Sequence, residues 1–95
     1  MHIITRKRLN DFAKVHPDCA AGLVQWFNEM RRANFLNIQE VRGGFPHADK
    51  VGKFTVFNIG GNKVRIIAAI HYNRKKIYIR HVLTHVEYDK GAWKK

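Results

Sequence analysis

What this sequence has little of narrows its class first. Among 95 residues there is a single cysteine, Cys19, so no internal disulfide can staple the fold. No apolar run is long enough for a signal peptide or a membrane span, and the chain reads as cytoplasmic with no membrane partner. Acidic residues are scarce, seven against 18 lysines and arginines, for a formal net charge of +11. That imbalance exceeds what solubility asks of a small domain and points to nucleic acid, an acidic protein partner or both. Internal repeats, low-complexity tracts and interdomain linkers are missing as well. What is present is 45% hydrophobic and 12% aromatic, enough for one modest core, so residues 1–95 read as a single domain.

The charge is uneven. From Gly60 onward nine lysines and arginines stand against two acids, Glu87 and Asp89, compared with nine against five before it. Strand-forming residues are densest in the same region. Three runs rich in Val, Ile, Phe, Tyr and Thr, at about 54–59, 63–72 and 77–84, are separated by Gly60-Gly61 and by Asn73-Arg74-Lys75-Lys76, which predicts an antiparallel β-meander. The glycine pair supplies the positive φ that a tight hairpin demands. With an even number of residues in each loop, Phe57 pairs with Val64, Arg65 with both Val56 and Thr84, and Ala69 with Arg80. Alternation then makes one face apolar: Phe57, Val64, Ile66, Ala68, Ile70, Ile77, Ile79 and Leu83, with His81 as the odd member. The other gathers Asn58, Lys63, Arg65, His71, Tyr78, Arg80 and Thr84 around Phe54, Val56, Ile67, Ala69 and Val82. Two arginines on one sheet face suit a polyanion.

The first half supplies support. Residues 2–5 make a short strand that can lie beside the meander. Leu9, Phe12, Ala13 and His16 recur at helical spacing over about 6–15, with Thr5 as N-cap. Pro17 opens a second helix whose stripe, Ala20, Leu23, Val24, Phe27 and Met30, runs to about Ala33. The helical hairpin is expected to cover the apolar sheet face, and the fold class is α+β. Gly22 inside that helix costs roughly 1 kcal/mol relative to alanine, which a close neighbour needing the room would explain. Trp26 falls off the centre of the stripe, at a core edge or within reach of a partner. Cys19 is expected to pack in the interior. Asn34 to Lys53 reads as a long connection with a helical turn near Ile38–Val41, placed to bring His47, Lys50 or Lys53 to the polar sheet face.

Taken in order, Phe57-Asn58-Ile59-Gly60-Gly61-Asn62, Val64-Arg65, Ile79-Arg80-His81-Val82 and Thr84-His85-Val86-Glu87-Tyr88-Asp89 resemble the signature of the HigB family of toxins. The similarity extends from the opening His-Ile-Ile-Thr to Glu-Tyr-Asp-Lys. It implies a RelE-like fold and the toxin of a bacterial type II toxin–antitoxin system: an endoribonuclease that cleaves mRNA and inhibits translation, with or without a requirement for the ribosome. The partner it implies is a cognate helix-turn-helix (HigA-like) antitoxin.

The chemistry follows from what RNA cleavage needs. Attack of the ribose 2′-oxygen on the adjacent phosphate requires cations for the developing phosphorane charge, a proton acceptor for the 2′-OH and a donor for the leaving oxygen. Arg65 is the first choice for the phosphate because its fork binds two oxygens; the resemblance places it where RelE-like toxins carry an arginine on the central strand. Arg80 shares its face. His85, expected at the end of the last strand, and Tyr88 are the acid/base candidates, with the division between them open; the RelE branch has an arginine near the position of His85. His71 is a second titrating candidate on the Arg65 face, while His81 is expected to point to the core. Asn58, Lys63, His71, Tyr78 and Lys90 are the expected RNA contacts. His85, Glu87 and Asp89 at alternate positions of an extended segment could present three metal ligands, but the lysines nearby oppose cation recruitment. No metal or cofactor is expected, and Asp89 or Glu87 is read as orienting His85 or an arginine. Two other readings remain: a non-catalytic RNA- or DNA-binding module, for which only Tyr78 and Phe54 offer stacking faces, and an interaction protein, which leaves the arginine and histidine cluster without purpose.

Overall fold

The computed structural model describes residues 1–61 and 63–94; Asn62 of the glycine turn and Lys95 of the basic tail lie outside them. The chain runs β1 (His2–Ile4), α1 (Lys7–Val15), a 3-10 turn (Pro17–Cys19), α2 (Ala20–Arg32), α3 (Ile38–Gly44), β2 (Asp49–Val51), β3 (Phe54–Ile59), β4 (Val64–His71), β5 (Lys76–Thr84) and α4 (His85–Asp89). The five strands form one sheet in the order β1-β5-β4-β3-β2. All neighbours are antiparallel except β1, which lies parallel to β5.

The helical hairpin covers one sheet face as its periodicity predicts. Leu9 of α1 and Leu23, Trp26 and Met30 of α2 bury against Phe57, Val64, Ile66, Ala68, Ile77 and Ile79. Leu23, Trp26 and Met30 are spaced three and four apart, so they share one helix face. Trp26 is therefore central to the core and only 1% exposed, its ring meeting Phe57 edge-on at 5.3 Å. Neither alternative for Trp26, a core edge or reach of a partner, holds. Gly22 has the reason anticipated for it: a Cβ there would stand 2.9 Å from Cγ2 of Ile59, so glycine lets α2 come down onto β3. Cys19 is half-buried against this core, and burial raises its thiol pKa above the ordinary 9.0.

Three local expectations are corrected. Thr5 does not cap α1; it takes a positive φ of 71° and its hydroxyl donates to the Ile79 carbonyl at 2.9 Å, tying the end of β1 to β5. Pro17 heads the 3-10 turn, and α2 begins at Ala20. The stretch read as a long connection does hold a helix at the expected turn near Ile38–Val41, extended to Gly44, but it also holds an unexpected strand. Asn37 caps α3 by accepting the Glu40 N–H at 3.0 Å, Val41 is buried, and β2 pairs with β3. Both elements are too short to show a period.

The strands lie nearly where expected, but the register differs. Ile59 pairs with Val64 across the first loop, which sets Phe57 opposite Ile66 and Asn58 opposite Arg65. In the second hairpin His71 pairs with Lys76, Ala69 with Tyr78 and Ala68 with Ile79, then Ile67 pairs with His81. Arg80 is thereby the extra residue of a β-bulge, and the alternation of β5 reverses beyond it. Ile77 and Ile79 face the helices; past the bulge Val82 does so, while Leu83 packs with Val56, Ile67 and Trp93 on the other face. Leu83 and His81 were expected on the helix side and Val82 opposite; the bulge exchanges them, and Arg65 pairs with Leu83, not Thr84. His81 lines a cleft beside Trp93, and its pKa is held below 6.5 by burial, then by the charges of Arg8 and Arg80.

Candidate active site

The sheet face away from the hairpin is capped at one end by α4, and Thr84 determines how. Its side chain accepts the Glu87 N–H at 3.2 Å while the Glu87 carboxylate accepts the Thr84 N–H at 2.9 Å, a capping box that stops the strand and starts a helix. His85 is therefore the first residue of α4, not the end of a strand. Its N–H also donates to the Lys63 carbonyl at 3.1 Å, which ties α4 to the β3–β4 turn. Helical spacing brings His85, Tyr88 and Asp89 to one side. Glu87 turns back to its cap, so His85, Glu87 and Asp89 are not the extended ligand row considered from the sequence. That cap holds the Glu87 carboxyl below its ordinary pKa, chiefly through the Thr84 N–H.

Arg65, 7% exposed, reaches this helix from β4. One guanidinium nitrogen (Nη2) lies 3.2 Å from His85 Nδ1, and the guanidinium carbon stands 5.4 Å from the centre of the Tyr88 ring. A guanidinium can only donate, so Nδ1 accepts and the imidazole proton is on Nε2. There it faces Asp89 Oδ2 at 3.1 Å. Arg65, His85 and Asp89 thus form a chain in which one nitrogen of the imidazole meets a cation and the other a carboxylate. Tyr88 stacks on Trp93 at 5.1 Å and 16°, and the Trp93 indole N–H donates to the Tyr88 carbonyl at 3.1 Å. Trp93 in turn packs on Val56 and Ile67, so the floor of the site is part of a small second core.

An open cleft of about 480 Å³ adjoins Arg65, lined by Arg42, His47, Asp49, Asn58 and Tyr88 among others. Asn58 lies directly opposite Arg65 in the ladder, and His47 reaches the cleft from the connecting stretch, as expected. The remaining candidates are elsewhere. Arg80 stacks over Tyr78 at 5.9 Å and Tyr78 meets His71 edge-on at 5.1 Å. Tyr78 is opposite Ala69, four residues along β4 from Arg65, or roughly 13 Å at the rise of a strand. Arg80 shares a face with Arg65 but not a centre. Lys63 lies in the β3–β4 turn, where its charge acts on Cys19 in the helix layer. Lys90 lines the second cleft, with His81 and Trp93.

Sequence reasoning did not place Trp93, Arg42 or Asp49 at the site. Arg42 and Asp49 sit in the short α3 and β2, which carry no periodic signal. The Thr84-x-x-Glu87 spacing is a capping-box signature and announces the helix that holds His85.

The comparisons agree with this architecture. A family model described as HigB_toxin, RelE-like toxic component of a toxin-antitoxin system, matches residues 19–91. A protein of Escherichia coli strain K12 named mRNA interferase toxin HigB is 38% identical over 92 residues, covering 94% of this chain and 88% of that one. An mRNA interferase HigB of Shigella flexneri matches to the same extent, and one of Escherichia coli O6:H1 is 32% identical over 95% of this chain and 90% of its own. With a family model spanning most of its length and such relatives matched nearly end to end, the chain belongs to the HigB family of RelE-like toxins, the toxic components of toxin–antitoxin systems.

Proposed function

We propose that this toxin is an mRNA interferase, a metal-independent endoribonuclease that stops translation by cutting mRNA. The relatives' names support the activity, and the observation that carries it here is the 3.2 Å contact between Arg65 and His85 Nδ1. RNA entering the site gives the Arg65 fork a phosphate to hold, which frees His85 Nδ1 to take the proton of the 2′-OH. The 2′-oxygen attacks phosphorus, the 5′-oxygen leaves, and a 2′,3′-cyclic phosphate remains. Asp89 on Nε2 stabilises the imidazolium so formed, and Arg65 the charge on the phosphorane. Tyr88, beside Arg65, is the donor for the leaving oxygen. Asn58 lies next to the reacting phosphate, while Arg80, Tyr78 and His71 on one side and Lys90 on the other hold the strand beyond it. Lys63 contacts RNA from the hairpin turn.

The setting we infer is the cytoplasm, on mRNA engaged with the ribosome, with a HigA-like helix-turn-helix antitoxin as the neutralising partner. Among the described residues no helix is long and apolar enough to cross a membrane. The test uses the purified chain on free RNA and on translating ribosomes. His85→Ala is expected to lower cleavage about 100-fold to 10,000-fold, the range of a positioned general base, with its melting temperature near the parent's. A parent that cuts RNA in neither format, or a folded His85→Ala that cuts as well as the parent, removes this reading.

A further inference from the structure

We infer that the cleft beside Arg65 is a nucleobase pocket in which Arg42 and Asp49 read the hydrogen-bonding edge of the nucleotide flanking the cut; this rests on the ribonuclease reading above. The cleft, about 480 Å³, opens next to the proposed phosphate-holding arginine, within reach of the base of an adjoining nucleotide. One of its walls is unsuited to another phosphate. Asp49 pairs with Val56 in the β2–β3 ladder, which sets it on the cleft side of the sheet, and a carboxylate there repels a phosphate. Base edges place donors beside acceptors, and the pocket offers the complement. Arg42 Nη2 stands 3.8 Å from Asp49 Oδ1, beyond hydrogen-bond distance, so each keeps capacity for a third group. The Arg42 Nε–H donates to the Ala48 carbonyl at 3.2 Å, which fixes the direction of its fork. His47 and Tyr88 line the same cleft.

Chemistry and base choice are thereby carried by different elements: β4 and α4 hold the reacting groups, while α3 and β2 hold the reader. Changing the reader should change where the enzyme cuts. The experiment maps the fragment ends produced from a pool of mRNA on translating ribosomes and from the same pool free, by the parent, Asp49→Asn and Arg42→Gln. The Asp49 side chain is 71% exposed, so Asn substitutes without disturbing the core, and thermal melts check both variants. The parent should show a base preference at a position next to the cut. Each variant should change the ratio of preferred to other bases there by about tenfold, within the discrimination of a paired base contact. A parent with no preference at the flanking positions overturns the inference. So do variants that cut more slowly at every site with an unchanged profile, since Arg42 would then be a phosphate or structural contact. A parent that cuts nothing is a different result: it removes the ribonuclease reading and this pocket's role with it.

Discussion

Replacing Arg65 by lysine separates its charge from its geometry. Arg65 is 7% exposed and its guanidinium already holds His85 Nδ1 at 3.2 Å, and in the proposed reaction it serves phosphate oxygens as well. An arginine presents five donors in a fixed plane; a lysine presents three on one point charge. Lysine therefore keeps most of the attraction for RNA but cannot hold the phosphorane in a fork. Losing one such transition-state contact costs about 2.7–4 kcal/mol, or about 100-fold to 1,000-fold in kcat. The fold should suffer less. One imperfectly replaced hydrogen bond costs about 1 kcal/mol, which lowers the melting temperature of a domain this size by about 4–8 °C. Single-turnover cleavage, RNA affinity and thermal melting should be measured on the same preparations. The expected pattern is a large fall in the cleavage rate, a small change in affinity and a modest fall in melting temperature. A lysine variant that cleaves within threefold of the parent would refute the bidentate role. A change confined to KM would instead make Arg65 a contact used equally by ground and transition states.

Three further outcomes concern the scaffold. Gly22→Ala should lower the melting temperature even though alanine is the better helix former by about 1 kcal/mol, because its Cβ would stand 2.9 Å from the branched Ile59 side chain and such overpacking costs about 1–3 kcal/mol; a rise in melting temperature would show that α2 can lift off β3 freely. The capping box makes stability fall in acid: the Glu87 pKa is depressed below 4.5 by the Thr84 N–H, so its contribution is complete above pH 4.5 and disappears as the pH falls through the lower folded value. Glu87→Gln should flatten that part of the acid titration, and superimposable curves for the two proteins would contradict the cap. Thr84→Ala should cost about 1 kcal/mol at neutral pH and slow RNA cleavage, since α4 carries His85, Tyr88 and Asp89; unchanged cleavage would count against the placement of those groups.

Much of this fold was legible where the pattern is long. The three meander strands, the two N-terminal helices and the need for a small residue at Gly22 all follow from residue type and spacing. Arg65 stands out in the sequence for its fork and for the resemblance, and the structure sets it against His85 and Tyr88. Shorter or counted features were not. Nothing in the composition of Ile79-Arg80-His81-Val82 marks Arg80 as a bulge, so side chains up to Ile79 were assigned to the correct faces and those from His81 to Val82 and Leu83 were not. Trp26 is obscured for a different reason: a stripe drawn through Ala20, Leu23, Val24, Phe27 and Met30 leaves it off centre, whereas Leu23 and Met30 bracket it in the core and Phe27 lies at the flank with Arg6 over its ring at 4.1 Å. The partnership of Arg65 with His85 joins residues 20 apart in sequence and depends on a helix of five residues; the cap was readable, but not the direction in which it turns the imidazole.

The bulge at Arg80 also means that β5 keeps two phases. It has nine residues where its partner β4 has eight, and the surplus divides it into a stretch in step with the helix layer and a stretch out of step with it. Helix α4 inherits the second phase. His85, Tyr88 and Asp89 are thus brought to the face away from the helical hairpin by the number of residues that precede them as well as by their own identities. Substitution within β5 leaves that number intact, however severe its local effect. Gain or loss of one residue between Tyr78 and Thr84 does not, so the side to which α4 is delivered depends on the length of β5 rather than on any one of its letters.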